Sequence, residues 1–368
     1  MNLDLNKIQF SYFPHILKFR FEAGTSRGTL TEKKTFFIKA NRKENPDLSG
    51  WGEAAPLPKL SLDDREDFEK MLSEICQRLS LSDIPKSESA ILDWVKKHVP
   101  TGFPSIRFAF EMALLDLFHG GRKMIFDTGF YTSKMPIPIN GLIWMGSKEA
   151  MLAQIDSKLD QGFDCIKMKI GAIDFDQECK LLGYIRSKYS EDQITLRVDA
   201  NGAFHPKEAL QKLKKLAEYD LHSIEQPIRQ GQLKEMEKLC QESPLAIALD
   251  EELIGVDAES KKKELLETIR PPYIILKPTL LGGIKSSMEW INIAESMGIG
   301  WWMTSALESN IGLNAIAQFT STFDTSLPQG LGTGQLYHNN VPSPLKIKSG
   351  QLFYDAGEED WVNPNIGV

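Results

Sequence analysis

Apolar and polar residues alternate with a period of two through residues 6–13, 17–21 and 35–40, the pattern of strands with one buried face. The polar stretch 41–50, NRKENPDLSG, is rich in turn-forming residues and predicts a hairpin loop. Helical periodicity follows at 64–79, 87–97 and 105–118. Strands first and helices afterwards predict a compact α+β domain, assigned to residues 1–120.

From Pro136 onward, short apolar strands alternate with amphipathic helices. The strands fall at 137–144, 165–170, 194–199, 221–225, 246–250, 273–277 and 299–304, with a last short one near 330–333. Helices are expected between them at 148–161, 174–188, 206–219, 233–242, 284–297 and 311–322. Several strands are unbroken apolar runs, as in a parallel sheet covered on both faces. So many strand–helix repeats in roughly two hundred residues suit a closed (β/α) barrel better than an open doubly wound sheet. No glycine-rich dinucleotide fingerprint follows any strand. The barrel is assigned to residues 121–339, and the tail 340–368 is expected to pack back on the first domain.

The 368 residues exceed the size at which a single core usually stops growing. Hydrophobic residues at 42% and charged residues at 25% are the balance of a soluble globular protein. No apolar run approaches the ~20 residues of a membrane helix, and the first residues do not read as a secretory signal, so no membrane partner is expected. A net charge of −7 argues against a nucleic-acid partner, which would need a basic face. Cys76, Cys165, Cys179 and Cys240 form no CxxC pair; they read as reduced thiols of a cytoplasmic protein.

The chemistry lies in what ends each strand. Lys167 and Lys169 close KMKIG, Asp199 closes RVDANG, Glu225 closes SIEQP, Asp250 closes ALDEE and Lys277 closes ILKPT. The steps from Lys169 to Asp199, Glu225, Asp250 and Lys277 are 30, 26, 25 and 27 residues, one strand–helix unit each. Such residues share the C-terminal rim, where barrel enzymes place their reacting groups. Singly, an acidic residue after a strand is more often a helix cap, and a lysine a surface charge. Together, three carboxylates on adjacent strands would repel one another unless something cationic sat among them. The all-oxygen trio Asp199, Glu225 and Asp250 suits a hard dication, Mg²⁺ first and Mn²⁺ as an alternative. Lys167 and Lys169, two apart on a strand, point to the same inward face, and Lys277 flanks the other side of the trio. Clustered ammonium groups beside a cation should depress a lysine into the range of a general base. A metal that binds a substrate carboxylate would stabilise the charge left when the adjacent carbon loses its proton. The expected chemistry is therefore proton abstraction α to the carboxylate of a small-molecule substrate.

The set KxK, DAN, EQP, DE and KP at these steps resembles the enolase superfamily in its muconate lactonising subgroup. The segment GWGEAAPLP, around Gly52 and Glu53, is similar to that subgroup's capping domain, so the resemblance covers nearly the whole chain. It implies a (β/α)7β modified TIM barrel with an N-terminal α+β capping domain. It further implies metal ligands at Asp199, Glu225 and Asp250, acid–base lysines at Lys169 and Lys277, and Lys167 as an auxiliary cation. Asn201 and Arg197 would support the metal shell.

Three more segments resemble the o-succinylbenzoate synthases of this superfamily: GTSRG at 24–28, TSALESNIG at 304–312 and GLGTG at 330–334. That family dehydrates 2-succinyl-6-hydroxy-2,4-cyclohexadiene-1-carboxylate, a step in menaquinone synthesis. The resemblance implies that Lys169 takes the proton α to the ring carboxylate and returns it to the departing hydroxyl on the same face, the enediolate being stabilised by Mg²⁺. Lys277 would stabilise the ring from the opposite side by charge and cation–π attraction. Some members carry GLDT where this chain has Gly332. The succinyl arm is assigned to Ser305, backbone N–H groups near Gly332, and Arg27 in the capping loop, Arg27 reading equally well as a solvated loop charge. Two lysines on opposite faces also suit a racemase or epimerase of the same subgroup acting on N-succinylamino acids or dipeptides. A dipeptide epimerase should carry a DxD-like pair at the last strand end, and GLGTG has none. Trp301 and Trp302 are expected to place one ring inside the barrel and one beneath the helices. Glu308 reads either as structural or as a neighbour of the substrate.

Overall fold

The computed structural model describes residues 7–25, 28–83, 85–171, 173–324, 326–357 and 359–364. Its first strands, Ile8–Thr25 (β1), Gly28–Arg42 (β2) and Asn45–Ala54 (β3), form an antiparallel meander. They are longer than the alternation alone marks, because pairing continues through exposed charged positions such as Ile16↔Lys34 and Lys18↔Glu32. Ladder hydrogen bonds need no apolar side chain on a solvated face. For the same reason the loop expected at 41–50 contracts to Lys43 and Glu44, and Asn45, Pro46 and Asp47 join β3 as exposed residues of an edge strand.

Helices Phe68–Leu79 (α1), Glu88–His98 (α2) and Pro104–Phe118 (α3) cover the meander. Ser87 caps α2 by accepting the Ala90 N–H, and Pro104 opens α3, where its missing N–H costs nothing. α3 is buried along almost its whole length. On one side Gly50 and Gly52 let β3 lie directly on it: a Cβ at either glycine would stand 2.0 Å from the carbonyl oxygen of Ala113 or Ala109. On the other side Glu111 accepts N–H bonds from Ile284 and Lys285, and Arg107 donates to Asp257. The helix thus pins the meander to the second part of the chain.

That part begins with Ile137–Pro138 (β4) and Gly141–Ile143 (β5) and continues through Cys165–Lys169 (β6), Thr195–Asp199 (β7), Ser223–Glu225 (β8), Ile247–Leu249 (β9), Tyr273–Leu276 (β10) and Gly300–Met303 (β11). β5 to β11 form one parallel sheet in chain order. A short segment at Gln329 and Gly330 closes it. Gly330 donates to Met303 O and its own carbonyl receives the Ser305 N–H, while on the other side Asn140 donates to Gln329 O. The last barrel strand is therefore shorter than the sequence pattern indicates. A helix at Glu259–Ile269 is absent from the sequence expectation, because Lys262 occupies one of its inward positions and interrupts the apolar period. Its buried ammonium is held by Ser286 and Glu289. The strands Leu345–Lys348 (β12) and Gln351–Tyr354 (β13) form a hairpin on β4, and Trp361 packs beside Phe37 and Trp51 of the meander. All four cysteines are free. Among the described residues no helix is long and apolar enough to cross a membrane.

Two outcomes follow from this packing. Gly52→Ala should overpack the contact with α3 and destabilise the protein by about 1–3 kcal/mol, read as a lower urea midpoint. A midpoint equal to the parent's would contradict the close approach. The second concerns His222, whose ring lies 5.0 Å from Tyr273 and 6.0 Å from Trp302 at the barrel floor. Burial, helped by the Arg197 guanidinium, pushes its imidazole down to about 4. The unfolded chain then binds this proton first as pH falls, so stability present above about 6.5 is lost towards about 4. His222→Gln should lose less stability between pH 6.5 and 4 than the parent does; equal losses would rule out this role for the ring.

Candidate active site

Strand register alone assembles the rim. Lys169 pairs with Asp199, and Asp199 with Glu225, across β6, β7 and β8. Asp250 and Lys277 follow directly after β9 and β10. Every one of these side chains, with Lys167, is buried: Asp199 is 1% exposed, Glu225 0%, Asp250 2%, Lys167 6%, and Lys169 and Lys277 9% each. So many charges under so little water require close pairing. Lys167 bridges two carboxylates, 2.5 Å from Glu225 Oε2 and 3.1 Å from Asp199 Oδ2. Lys169 donates to Asp199 Oδ2 at 3.0 Å and to Asn201 Oδ1 at 2.8 Å, and Lys277 donates to Asp250 Oδ2.

Asn201 has a left-handed backbone, φ 44°, which asparagine tolerates better than most residues. That turn brings its N–H back to Asp199 Oδ1 at 3.0 Å and sends its side-chain amide to Glu251 Oε1 at 3.0 Å. Asn201 therefore holds both the lysine and the carboxylate beside it. Glu251 was not singled out from the sequence; its position next to Asp250 was the available signal. Arg197 faces the same interior one layer lower. Its guanidinium lies 4.1 Å from the Trp302 ring and donates to Pro328 O at 2.7 Å, so it braces the barrel floor and bonds none of the three carboxylates. Trp302 is fully buried inside, while Trp301 packs on Phe323 beneath the helices.

The electrostatics follow from the pairing. Burial disfavours the charged form of Asp199, but the ammonium groups of Lys167 and Lys169 outweigh it and hold the carboxyl well below the usual range. Burial, with the nearby charges of Asp199 and Asp250, pushes Glu225 up to about 7 against the pull of Lys167. Burial would lower Lys167 and Lys277 too, yet their carboxylate partners hold both above the ordinary lysine range. Lys167 and Lys277 are thus raised where the sequence led us to expect a depressed lysine, because carboxylates lie directly against both ammonium groups. Among the described residues no three acidic, histidine or cysteine side chains clasp a common point as they stand, because the lysines occupy their inward oxygens. Glu225 Oε1, however, is buried without any hydrogen-bond partner. An unpaired oxygen of a buried carboxylate, beside two more carboxylates, fits an oxygen-seeking cation.

A cavity of about 490 Å³ opens over this rim. Lys167, Lys169, Asp199, Asn201 and Lys277 line it, and so do Ser305 and Gly332. Lys169 on β6 and Lys277 after β10 reach it from opposite sides, with β7, β8 and β9 between them. Phe21 of the meander and Trp144, in edge contact at 5.8 Å, also line it, and Thr333 belongs to its wall. None of these three was named from the sequence, since a pocket lining gathered from distant loops has no period. Arg27 lies outside the described residues.

Residues 150–357 match the family described as Enolase C-terminal domain-like. A relative from Desulfotalea psychrophila, named o-succinylbenzoate synthase, is 48% identical over 95% of this chain and 99% of its own. The N-succinylamino acid racemase of Thermus thermophilus is 31% identical over 84% of this chain and 82% of its own. Among solved structures, MenC from Desulfotalea psychrophila superposes with a TM-score of 0.81 at 45% identity, covering 94% of this chain and 99% of that one. Muconate lactonizing enzyme from Pseudomonas fluorescens, at 20% identity, shares the fold with a TM-score of 0.82 over 97% of each chain. With its paired lysines, its acidic trio and a family match over more than half its length, the chain belongs to the enolase superfamily.

Proposed function

We propose that this protein is an o-succinylbenzoate synthase, dehydrating 2-succinyl-6-hydroxy-2,4-cyclohexadiene-1-carboxylate in the route to menaquinone. The observation that carries the chemistry is the pair of lysines facing one cavity from opposite sides of three carboxylates. The near full-length relative of that name, 48% identical, supports the choice of substrate. Asp199, Glu225 and Asp250 would hold Mg²⁺, with Mn²⁺ accepted by the same oxygens. When bound, the ion supplies positive charge to a substrate carboxylate as the neighbouring carbon ionises.

The protein's own groups do the rest. Lys169, as the free amine, takes the proton from the ring carbon that bears the carboxylate. The C–H electrons flow into the carboxylate and then back to expel the hydroxyl. Lys169, now an ammonium, gives its proton to that leaving group on the same face, so one C–H and one C–O bond break and water departs. Asn201 keeps Lys169 pointed at the cavity through its 2.8 Å contact. Lys277, held by Asp250, presents a cation to the opposite face. Lys167 balances Asp199 and Glu225, which would otherwise repel across adjacent strands.

The test is formation of o-succinylbenzoate by the purified enzyme with Mg²⁺, followed by EDTA and by Mg²⁺ restored. Activity lost on chelation and regained on addition is expected; full activity in EDTA would remove the metal from the account. The same lysines suit racemisation, and fast racemisation of N-succinylamino acids with no conversion of the cyclohexadiene acid would replace this reading by that one. Lys169→Ala should lower kcat by at least about a thousandfold, the order expected for loss of a proton-transfer group, with the far-ultraviolet spectrum unchanged. Turnover that survives the substitution would show that another residue is the base.

A further inference from the structure

The wall of the cavity beside Gly332 is formed by two hydroxyls, Ser305 and Thr333, 5% and 7% exposed. Behind them stands Glu308, wholly buried. Its Oε2 accepts the Ser305 hydroxyl at 2.5 Å and the Ala306 N–H at 2.8 Å, and its Oε1 accepts the Thr279 hydroxyl. Ser305 Oγ also receives the Leu307 N–H at 3.0 Å and the Thr333 hydroxyl at 2.8 Å. From the capping meander, the buried ammonium of Lys33 donates to Ala55 O and Leu307 O, in the field of Glu308.

A serine hydroxyl has one proton and two lone pairs. Here the proton goes to Glu308, one lone pair takes the Leu307 N–H, and the other is left for Thr333, which must therefore donate. The proton order Thr333 to Ser305 to Glu308 is fixed at every step by the carboxylate at its end. Neither hydroxyl keeps a proton for a ligand, and Thr333 Oγ offers the cavity lone pairs alone.

We infer that Glu308 is a positioning residue that sets the polarity of this wall, so that the Ser305–Thr333 pair accepts hydrogen bonds from the ligand and donates none. This rests on the proposed function, with the succinyl arm assigned to Ser305 and Gly332 as the sequence implies. It also changes the part expected of Ser305: the arm's carboxylate gains no direct hydroxyl donor there. At these two hydroxyls a donor on the arm gains a bond that an acceptor does not, so the arm's carboxylate takes its hydrogen bonds from the backbone N–H groups near Gly332 instead.

The experiment compares o-succinylbenzoate with its analogue bearing a primary amide at the end of the succinyl arm, both titrated into the Mg²⁺-loaded enzyme. The readout is the ratio of the two dissociation constants, acid over amide, measured on one preparation so that unfolded material cancels. In Glu308→Ala the acceptor at the end of the relay is gone, which frees the Ser305 proton to turn towards Thr333 and the Thr333 proton towards the cavity. The ratio should fall by about tenfold, the effect of one hydrogen bond changing sense. Thr333→Val, which keeps the shape and removes the acceptor, should lower the ratio as well. A ratio within about twofold of the parent's in either variant that folds would overturn the inference. An enzyme that binds o-succinylbenzoate without forming it from the cyclohexadiene acid would sink the proposed function instead.

Discussion

The rim of this barrel holds three carboxylates and three ammonium groups almost entirely out of water, and only their interleaving makes that tolerable. Lys167 lies against both Asp199 and Glu225, Lys169 against Asp199, and Lys277 against Asp250. Removing one partner of such a pair leaves a buried charge with nothing to balance it, a loss of about 3–5 kcal/mol. The parallel register of β6, β7 and β8 supplies the alignment without any loop having to be shaped for it. Catalytic order and folding stability are here the same arrangement of charges.

The second requirement is a roof. α3 meets the meander at two glycines and the barrel through Glu111 and Arg107, so the capping unit is fixed against the barrel by backbone contact on one side and by buried hydrogen bonds on the other. Phe21 and Trp144 then meet over the cavity. A partly apolar space that admits little water strengthens the charge interactions at its base, where the buried lysines and Asp199 lie.

Much of this is written plainly in the chain. Spacings of 25 to 30 residues between strand-ending lysines and acids can only be met by successive strand–helix units, so the rim and the barrel were legible together. Less visible were features in which one residue breaks the rule of its element. The helix Glu259–Ile269 was hidden because Lys262 takes a core position with Ser286 and Glu289 as partners. The length of the β1–β2 ribbon was hidden by charges on its solvated face. Arg197 could be placed on the inward face of β7 from its spacing to Asp199, but its choice of Trp302 depends on a ring that arrives about a hundred residues later, at a level no period encodes. The hydroxyl relay of Thr333 and Ser305 spans 28 residues, a step like those of the rim, but serine and threonine are too common to announce it.

Lys33 sits on β2, yet the carboxylate nearest in its influence, Glu308, belongs to the barrel. The two structural units are therefore not interchangeable parts. A capping unit grafted from a relative without a cation at this place would leave acidic groups from both halves facing each other in a dry seam. In divergence, the roof and the vessel beneath it are bound to change as one inheritance.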